Sequence, residues 1–158
     1  MRAGIGFDVH SFETGRRLVL GGVEIEYLKG LKGHSDADVL IHAIMDAMLG
    51  AAGLRDIGVY FPDNDIKYKN ISSLLLLKEV KKIIKDKGFE IINIDSTLIL
   101  EKPKISPYIP AMLKKLSDAL ELDPGRIGIK ATTTEGLGFC GREEGIAVQS
   151  IALLETRL

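Results

Sequence analysis

The chain has 158 residues, 21 basic against 22 acidic side chains and a net charge of −1. This suits one domain over residues 1–158 and excludes a nucleic-acid-binding face built on bulk positive charge. Its one cysteine, Cys140, excludes an internal disulfide and fits a reducing, cytoplasmic setting, while no apolar run is long enough to span a bilayer and no leader-type apolar segment precedes Ile5.

In chain order, Arg2 to Val9 is expected to form a strand with Asp8 and His10 on the same face. Arg17–Leu20 and Val23–Glu26 flank Gly21-Gly22 and predict a hairpin. A helix is expected after a cap at Ser35 or Asp36, running to a stop at Gly53, with an apolar stripe through Ile44, Met48 and Ala52. The segment Asp56 to Asp65 reads as a turn region rich in carboxylates. Ser72 to Lys87 predicts a second helix, ended by Gly88, whose lysines alternate with apolar residues as on a solvated face. Phe89 to Leu100 reads as a strand. Ser106-Pro107 then caps a third helix that reaches Leu120.

Arg126 to Thr132 and Gly145 to Glu155 are the remaining predicted strands. The last is apolar on both faces, with Ile146, Val148 and Ala152 on one and Ala147, Ile151 and Leu153 on the other. A strand covered on both sides in a domain this small suggests burial against another subunit.

The chemistry-bearing residues form two groups. All three histidines lie in two segments, Asp8-Val9-His10 and His34-Ser35-Asp36-Ala37-Asp38 continuing to His42. Asp38, His42 and Asp46 fall one turn apart on a helix face. An isolated histidine on an apolar helix is more often a satisfied core residue, but here every imidazole has a carboxylate close by. Two imidazoles and a carboxylate converging from a strand and a helix suit a zinc ion with one open position. The second group is Ala131-Thr132-Thr133-Thr134-Glu135, delivered into the glycine-rich turn from Gly136 to Gly145. Backbone N–H groups and hydroxyls there can hold phosphate oxygens, Glu135 can take a hard cation such as Mg2+, and Arg142 can fork onto a phosphate. A tight hairpin between two strands would also explain the glycines. Cys140 has no base assigned to it and reads as a small residue in this turn.

These residues resemble one family, the 2-C-methyl-D-erythritol 2,4-cyclodiphosphate synthases of non-mevalonate isoprenoid biosynthesis. The resemblance rests on Gly6-Phe7-Asp8-Val9-His10, Gly33-His34-Ser35-Asp36-Ala37-Asp38-Val39 with His42, and Asp56-Ile57-Gly58. It continues through Phe61-Pro62-Asp63-Asn64-Asp65, Pro103-Lys104, and Ala131 to Glu135 with Gly138-Phe139. It implies zinc, or another divalent transition metal, on Asp8, His10 and His42, and Mg2+ or Mn2+ with the substrate diphosphate near Glu135. It implies transition-state roles for His34 and Thr133. Ser35, Asp56, Ile57, Gly58, Phe61, Pro62, Asp63, Asn64, Asp65, Phe139 and Arg142 would contact substrate. Leu100, Glu101, Lys102, Pro103, Lys104, Ile105 and Ser106, with Ala131, Thr132, Thr133, Thr134 and Glu135, would contact the nucleotide.

The implied reaction closes 4-diphosphocytidyl-2-C-methyl-D-erythritol 2-phosphate to the cyclic diphosphate and releases CMP. The implied fold is α/β, of the α+β type, a four-stranded sheet with helices on one face, assembled as a homotrimer with active sites between neighbours. Cys140 stands where threonine is usual, Glu143 where glycine is usual, and Leu100 in place of a smaller residue. A zinc-dependent phosphodiesterase or nucleotide pyrophosphatase, and a trimeric isoprenoid-diphosphate binder without turnover, are the other readings of the same residues.

Overall fold

The computed structural model describes residues 1–157; Leu158, the last residue of the expected domain, lies outside the described residues. Seven strands are described: β1 (Arg2–Thr14), β2 (Leu18–Leu20), β3 (Val23–Ile25), β4 (Lys29–Leu31), β5 (Phe89–Ile99), β6 (Ile127–Thr132) and β7 (Gly145–Thr156). The helices are α1 (Val39–Ala51), α2 (Ile57–Tyr60), α3 (Ser73–Asp86), α4 (Ile109–Leu120) and α5 (Gly138–Gly141). The main sheet has the order β4-β1-β7-β5-β6, and β2 and β3 form a separate hairpin. Four long strands are present as expected; the fifth, β4, is a three-residue strand on the far end of β1, pairing Phe12 with Leu31.

That pairing explains why β1 runs to Thr14 rather than stopping near Val9. The β5–β6 pair is parallel and all other pairs in the main sheet are antiparallel. Because β5 lies between β6 and β7, the glycine-rich segment from Thr132 to Gly145 is not a hairpin turn. It crosses over a neighbouring strand and contains the short helix α5. The Asp56–Asp65 turn region likewise contains the four-residue α2.

α1 is buried nearly all round, with only Asp46 and Gly50 among its residues reaching solvent. Such a helix belongs in the core, not on the surface. Its cap is Asp38, not Ser35 or Asp36: the Asp38 carboxylate accepts the Ile41 N–H at 3.1 Å. The same carboxylate accepts the N–H groups of Gly21 and Gly22 at 3.0 and 2.7 Å, fastening the β2–β3 hairpin to the helix. Both glycines have positive φ, 59° and 74°, as a tight two-residue hairpin requires. α3 and α4 are amphipathic, burying Leu77, Val80 and Ile84, and Met112 and Leu116. Ser106–Tyr108 forms a 3-10 turn before α4, so Ser106 and the proline after it lie inside that turn and neither caps nor begins the helix itself, whose cap position is Tyr108.

The approach of α1 to β1 is set by Gly4 and Gly6. A Cβ on Gly6 would lie 1.9 Å from the Ala43 carbonyl oxygen, and one on Gly4 would lie 2.2 Å from that of Ala47. Ordinary contact begins near 3.4 Å, so α1 would have to retreat by about 1.5 Å to admit a methyl at Gly6 and about 1.2 Å to admit one at Gly4. Gly6→Ala is therefore expected to destabilise the protein by about 1–3 kcal/mol or more, read in a denaturant titration. It should also weaken divalent-metal binding, because α1 carries His42. An alanine variant with unchanged stability and metal affinity would show that the helix can shift freely.

Candidate metal centre and active-site cleft

Asp8 and His10 project from β1 toward α1, two and four residues beyond Gly6 on the same strand face. Across from them α1 supplies His42, next to the Ala43 that Gly6 admits. His10 Nε2 lies 2.9 Å from Asp8 Oδ2 and 3.2 Å from His42 Nδ1, and His42 Nδ1 lies 3.1 Å from Asp8 Oδ2. Ligands about 2.0 Å from a zinc ion at tetrahedral corners stand about 3.3 Å apart, so this triangle fits three corners of such a site. Among the described residues it is the one group of three His, Cys, Asp or Glu side chains close enough to hold a metal. His10 Nδ1 lies 2.6 Å from the Lys32 carbonyl, which can only accept, so His10 turns its Nε2 inward as the donor atom. Two imidazoles and a carboxylate suit zinc and related divalent transition ions.

Of the helix-face trio Asp38, His42 and Asp46, only His42 joins the triad. Asp38 is fully buried at its cap; burial, reinforced by the nearby Asp36, pushes its carboxyl up to about 6 against the pull of its three N–H partners. Asp46 accepts the Ile57 N–H at 2.8 Å and so anchors the start of α2. Burial raises its pKa as well.

The triad lies in a cleft of about 250 Å3. His34 and Ser35 extend the triad's wall, and Ile57, Gly58, Phe61 and Asp63 face it. The His34 imidazole is held by its Nε2, which donates to the Asp65 carbonyl at 3.0 Å. Asp65 spends its side chain on the Lys67 N–H. Asp56 flanks α2 without a side-chain cap bond, and Pro62 and Asn64 belong to the same loop but do not line the cleft. Tyr68, which meets Phe61 edge-on at 5.4 Å, and Leu76 also line it; neither stands out in the sequence. The same holds for Arg16, whose guanidinium donates to the carbonyls of Gly33 and Ser35 at 2.8 and 3.0 Å and pins the loop that carries His34.

The second group lies elsewhere on the same sheet. Asp8 pairs with Val148, Val148 with Leu98, and Leu98 with Ala131. Three strand spacings of about 4.8 Å put the two groups roughly 14 Å apart. The segments Leu100–Ser106 and Ala131–Glu135 are tied to each other by Glu101, whose Oε1 accepts from the Thr134 N–H, the Thr134 hydroxyl and the Gly136 N–H at 2.9, 3.3 and 3.3 Å. The Thr134 N–H is foremost in holding the Glu101 carboxyl below its ordinary range. Leu100 and Ile105 are buried, while Thr132, Thr133 and Lys104 are exposed. Thr133 Oγ1 accepts the Glu135 N–H at 3.3 Å.

Arg142 is engaged by Glu144 through two contacts, at 2.8 and 3.3 Å, and Phe139 is partly exposed nearby. Glu143 has φ 56°, a backbone region that favours glycine and accounts for the residue usual there. Its carboxylate pairs with Lys102 at 3.1 Å. Cys140 is buried, and burial raises its thiol pKa, as suits a packing residue.

The triad's electrostatics suit a cation. Burial acts to raise the Asp8 pKa, but hydrogen bonds and attraction from His10 and His42 prevail and lower it to about 2. Burial acts to lower the pKa of His10, but the bond and charge of Asp8 and the Lys32 carbonyl leave it raised. In metal-free protein His10 thus keeps its proton to higher pH than a free imidazole, and a metal must displace that proton. Apparent zinc affinity should rise with pH until the raised His10 value is passed and level off above it. Chelator competition across a pH series measures this; an affinity independent of pH would remove His10 from the ligand set.

Residues 1–155 match the model of the YgbB family. The chain is similar to the 2-C-methyl-D-erythritol 2,4-cyclodiphosphate synthase of Clostridium acetobutylicum, at 67% identity over 154 residues covering 98% of this chain and 99% of that one. It is similar to the bifunctional IspDF from Campylobacter jejuni, with a TM-score of 0.94 and 50% identity, over 98% of this chain and 42% of that one. It is also similar to IspF from Plasmodium falciparum in a CDP complex, with a TM-score of 0.87 and 34% identity, over 99% of this chain and 97% of that one. With the match running from the first residue almost to the last, the chain belongs to the YgbB family.

Proposed function

We propose that this chain is a 2-C-methyl-D-erythritol 2,4-cyclodiphosphate synthase, acting in non-mevalonate isoprenoid biosynthesis as one catalytic unit over its length. The observation that carries the reading is the Asp8–His10–His42 triangle in a cleft shared with His34 and Ser35, in a member of this family. The substrate is 4-diphosphocytidyl-2-C-methyl-D-erythritol 2-phosphate. An oxygen of its 2-phosphate attacks the β-phosphorus, and the bond from that phosphorus to the oxygen bridging to the α-phosphate breaks. The eight-membered cyclic diphosphate forms, and CMP leaves with the bridging oxygen. No protein nucleophile is required, so the residues act by orientation and charge.

Zinc on Asp8, His10 and His42, and Mg2+ or Mn2+ with the diphosphate beside Glu135, supply neutralisation and polarisation of phosphate oxygens. Ser35 and the Asp56–Asp65 loop bind the methylerythritol end and exclude water from the attacking group. His34 and Thr133 stabilise the charge that develops on phosphorus-bound oxygen. The tethered segments Leu100–Ser106 and Ala131–Glu135 hold the cytidine nucleotide, with Phe139 and Arg142 completing the surroundings. Leu100 turns its side chain into the core, which leaves backbone atoms for nucleotide recognition. A cytoplasmic location fits the single free cysteine and the lack, among the described residues, of a helix long and apolar enough to cross a membrane.

The active form is a homotrimer with each site shared between neighbours. Two observations support this. The metal cleft of one subunit contains no residue of the nucleotide segments, which lie about 14 Å across the sheet. The sheet face turned away from the helices carries Ile5, Phe7, Val9 and Ile151, all substantially exposed in the single chain, an apolar patch that an isolated subunit would not keep in water.

Phosphorus NMR of the protein with substrate, Zn2+ and Mg2+ should show CMP and a cyclic diphosphate appearing together. CMP with an open-chain diphosphate would instead make water the nucleophile and refute the synthase reading. His42→Ala should abolish zinc binding and lower turnover by at least about 1000-fold, with the fold retained by circular dichroism. His42→Ala and Glu135→Ala chains, each inactive alone, should recover part of the activity when mixed and reassembled. Recovery requires sites built from two subunits; none would place each site within one.

A further inference from the structure

The hydrogen bonds behind His42 extend to two residues outside the site described so far. Ser73 is wholly buried at the start of α3, and its hydroxyl has one hydrogen to give. Its oxygen contacts Asp36 Oδ1 and, at 3.1 Å, His42 Nε2. An ionised carboxylate only accepts, and Asp36 makes the shorter contact, so the hydroxyl hydrogen belongs to Asp36. The Ser73 oxygen then offers His42 only lone pairs, and His42 Nε2 must carry a hydrogen and donate it. Nδ1 of His42 faces Asp8 and His10 and, with Nε2 engaged as the donor, is the ring nitrogen a metal would take. Ser35 Oγ, 3.2 Å from the same Nε2, already accepts the Ala37 N–H at 3.2 Å and is consistent with that direction.

We propose that Asp36 and Ser73 are positioning residues for the metal ligand His42, a carboxylate–hydroxyl–imidazole chain that fixes its tautomer and ring orientation for a divalent cation. The proposal rests on the reading of the triad as a metal site. Partners of this kind make a ligating imidazole more basic and hold it in place. Asp36 also has a plainly architectural contact: its Oδ2 accepts the Ser73 N–H at 2.9 Å, in the first turn of a helix whose Ser72 makes no side-chain cap bond. The test must therefore separate helix capping from metal binding.

Ser73→Ala removes the nearer of two oxygens that His42 Nε2 can donate to and the link to Asp36, and Asp36→Asn keeps an oxygen for the Ser73 N–H while removing the charge. Zinc affinity is read by competition with a chromogenic chelator, and ligand geometry by the visible spectrum of the Co2+-loaded protein. Ser73→Ala should bind zinc about 10- to 100-fold more weakly, with altered Co2+ bands, and Asp36→Asn should show a smaller loss in the same direction. The thermal midpoint of metal-free Asp36→Asn should stay near wild type, since asparagine also caps helices. If Ser73→Ala does not fold, Asp36→Asn decides alone. Wild-type zinc affinity and Co2+ spectrum in either folded variant overturns the proposal. His42→Ala is the control: zinc binding as tight as wild type there refutes the metal site itself rather than the chain behind it.

Discussion

Backbone-to-backbone contact between β1 and α1 is the constraint from which the site follows. Gly4 and Gly6 alternate on the strand face that the helix covers, opposite Ala43, Ala47 and Ala51, which recur one turn apart on α1. A strand advances nearly 7 Å in two residues and a helix about 5.4 Å in a turn, so the two ladders stay close to register over this length. Continuing along the ladder, Asp8 and His10 follow the glycines and His42 precedes Ala43. The donor atoms then fall about 3 Å apart because the main chains can touch. Larger residues at the glycines would leave the same three side chains on the same elements but too far apart to share an ion.

Running α1 through the core carries a cost, because it buries Asp38 and His42 and half-buries Asp46. Each buried polar group without a partner would cost about 1–3 kcal/mol, and none of the buried side-chain nitrogen or oxygen atoms among the described residues lacks one. The way they are satisfied ties distant segments together. Asp38 fastens the β2–β3 hairpin, Asp46 the start of α2, and His42 the start of α3 through Ser73. The loops that surround the cleft are thus hung from the polar side chains of one apolar helix. This gives them fixed positions without a large hydrophobic surface of their own.

Charge is managed differently in the two halves of the sheet. At the candidate metal triad one carboxylate and two imidazoles converge. In the half that carries Leu100–Ser106 and the crossover turn, Arg142 pairs with Glu144 and Lys102 with Glu143 on the exposed surface. Exposed pairs of this kind are screened by water and add little to stability. The glutamate at the left-handed position 143 couples the crossover turn to the Leu100–Ser106 segment through Lys102, a link that glycine there could not make.

Much of this was legible from residues alone. The period-two placement of Asp8 and His10, the Gly21-Gly22 hairpin, the apolar run of α1 and the two chemical groups all follow from local rules of spacing and backbone freedom. The family resemblance named the triad from motif blocks. Local rules went astray where a distant segment intervened. Ser35 and Asp36 look as good a cap as Asp38, but only Asp38 also meets Gly21 and Gly22. The Thr132–Gly145 segment looks like a hairpin, but β5 is inserted between the strands it joins.

Arg16, Tyr68 and Ser73 carry no periodic or compositional mark, because their contacts are made across 17 residues or more, or with a loop of irregular shape. The sequence by itself determined which side chains can bind a metal or a phosphate and on which faces of their elements they stand. Only the tertiary structure decided which of them meet, because that depends on how closely two backbones approach and on which buried donor finds which acceptor, and neither is a property of any one segment.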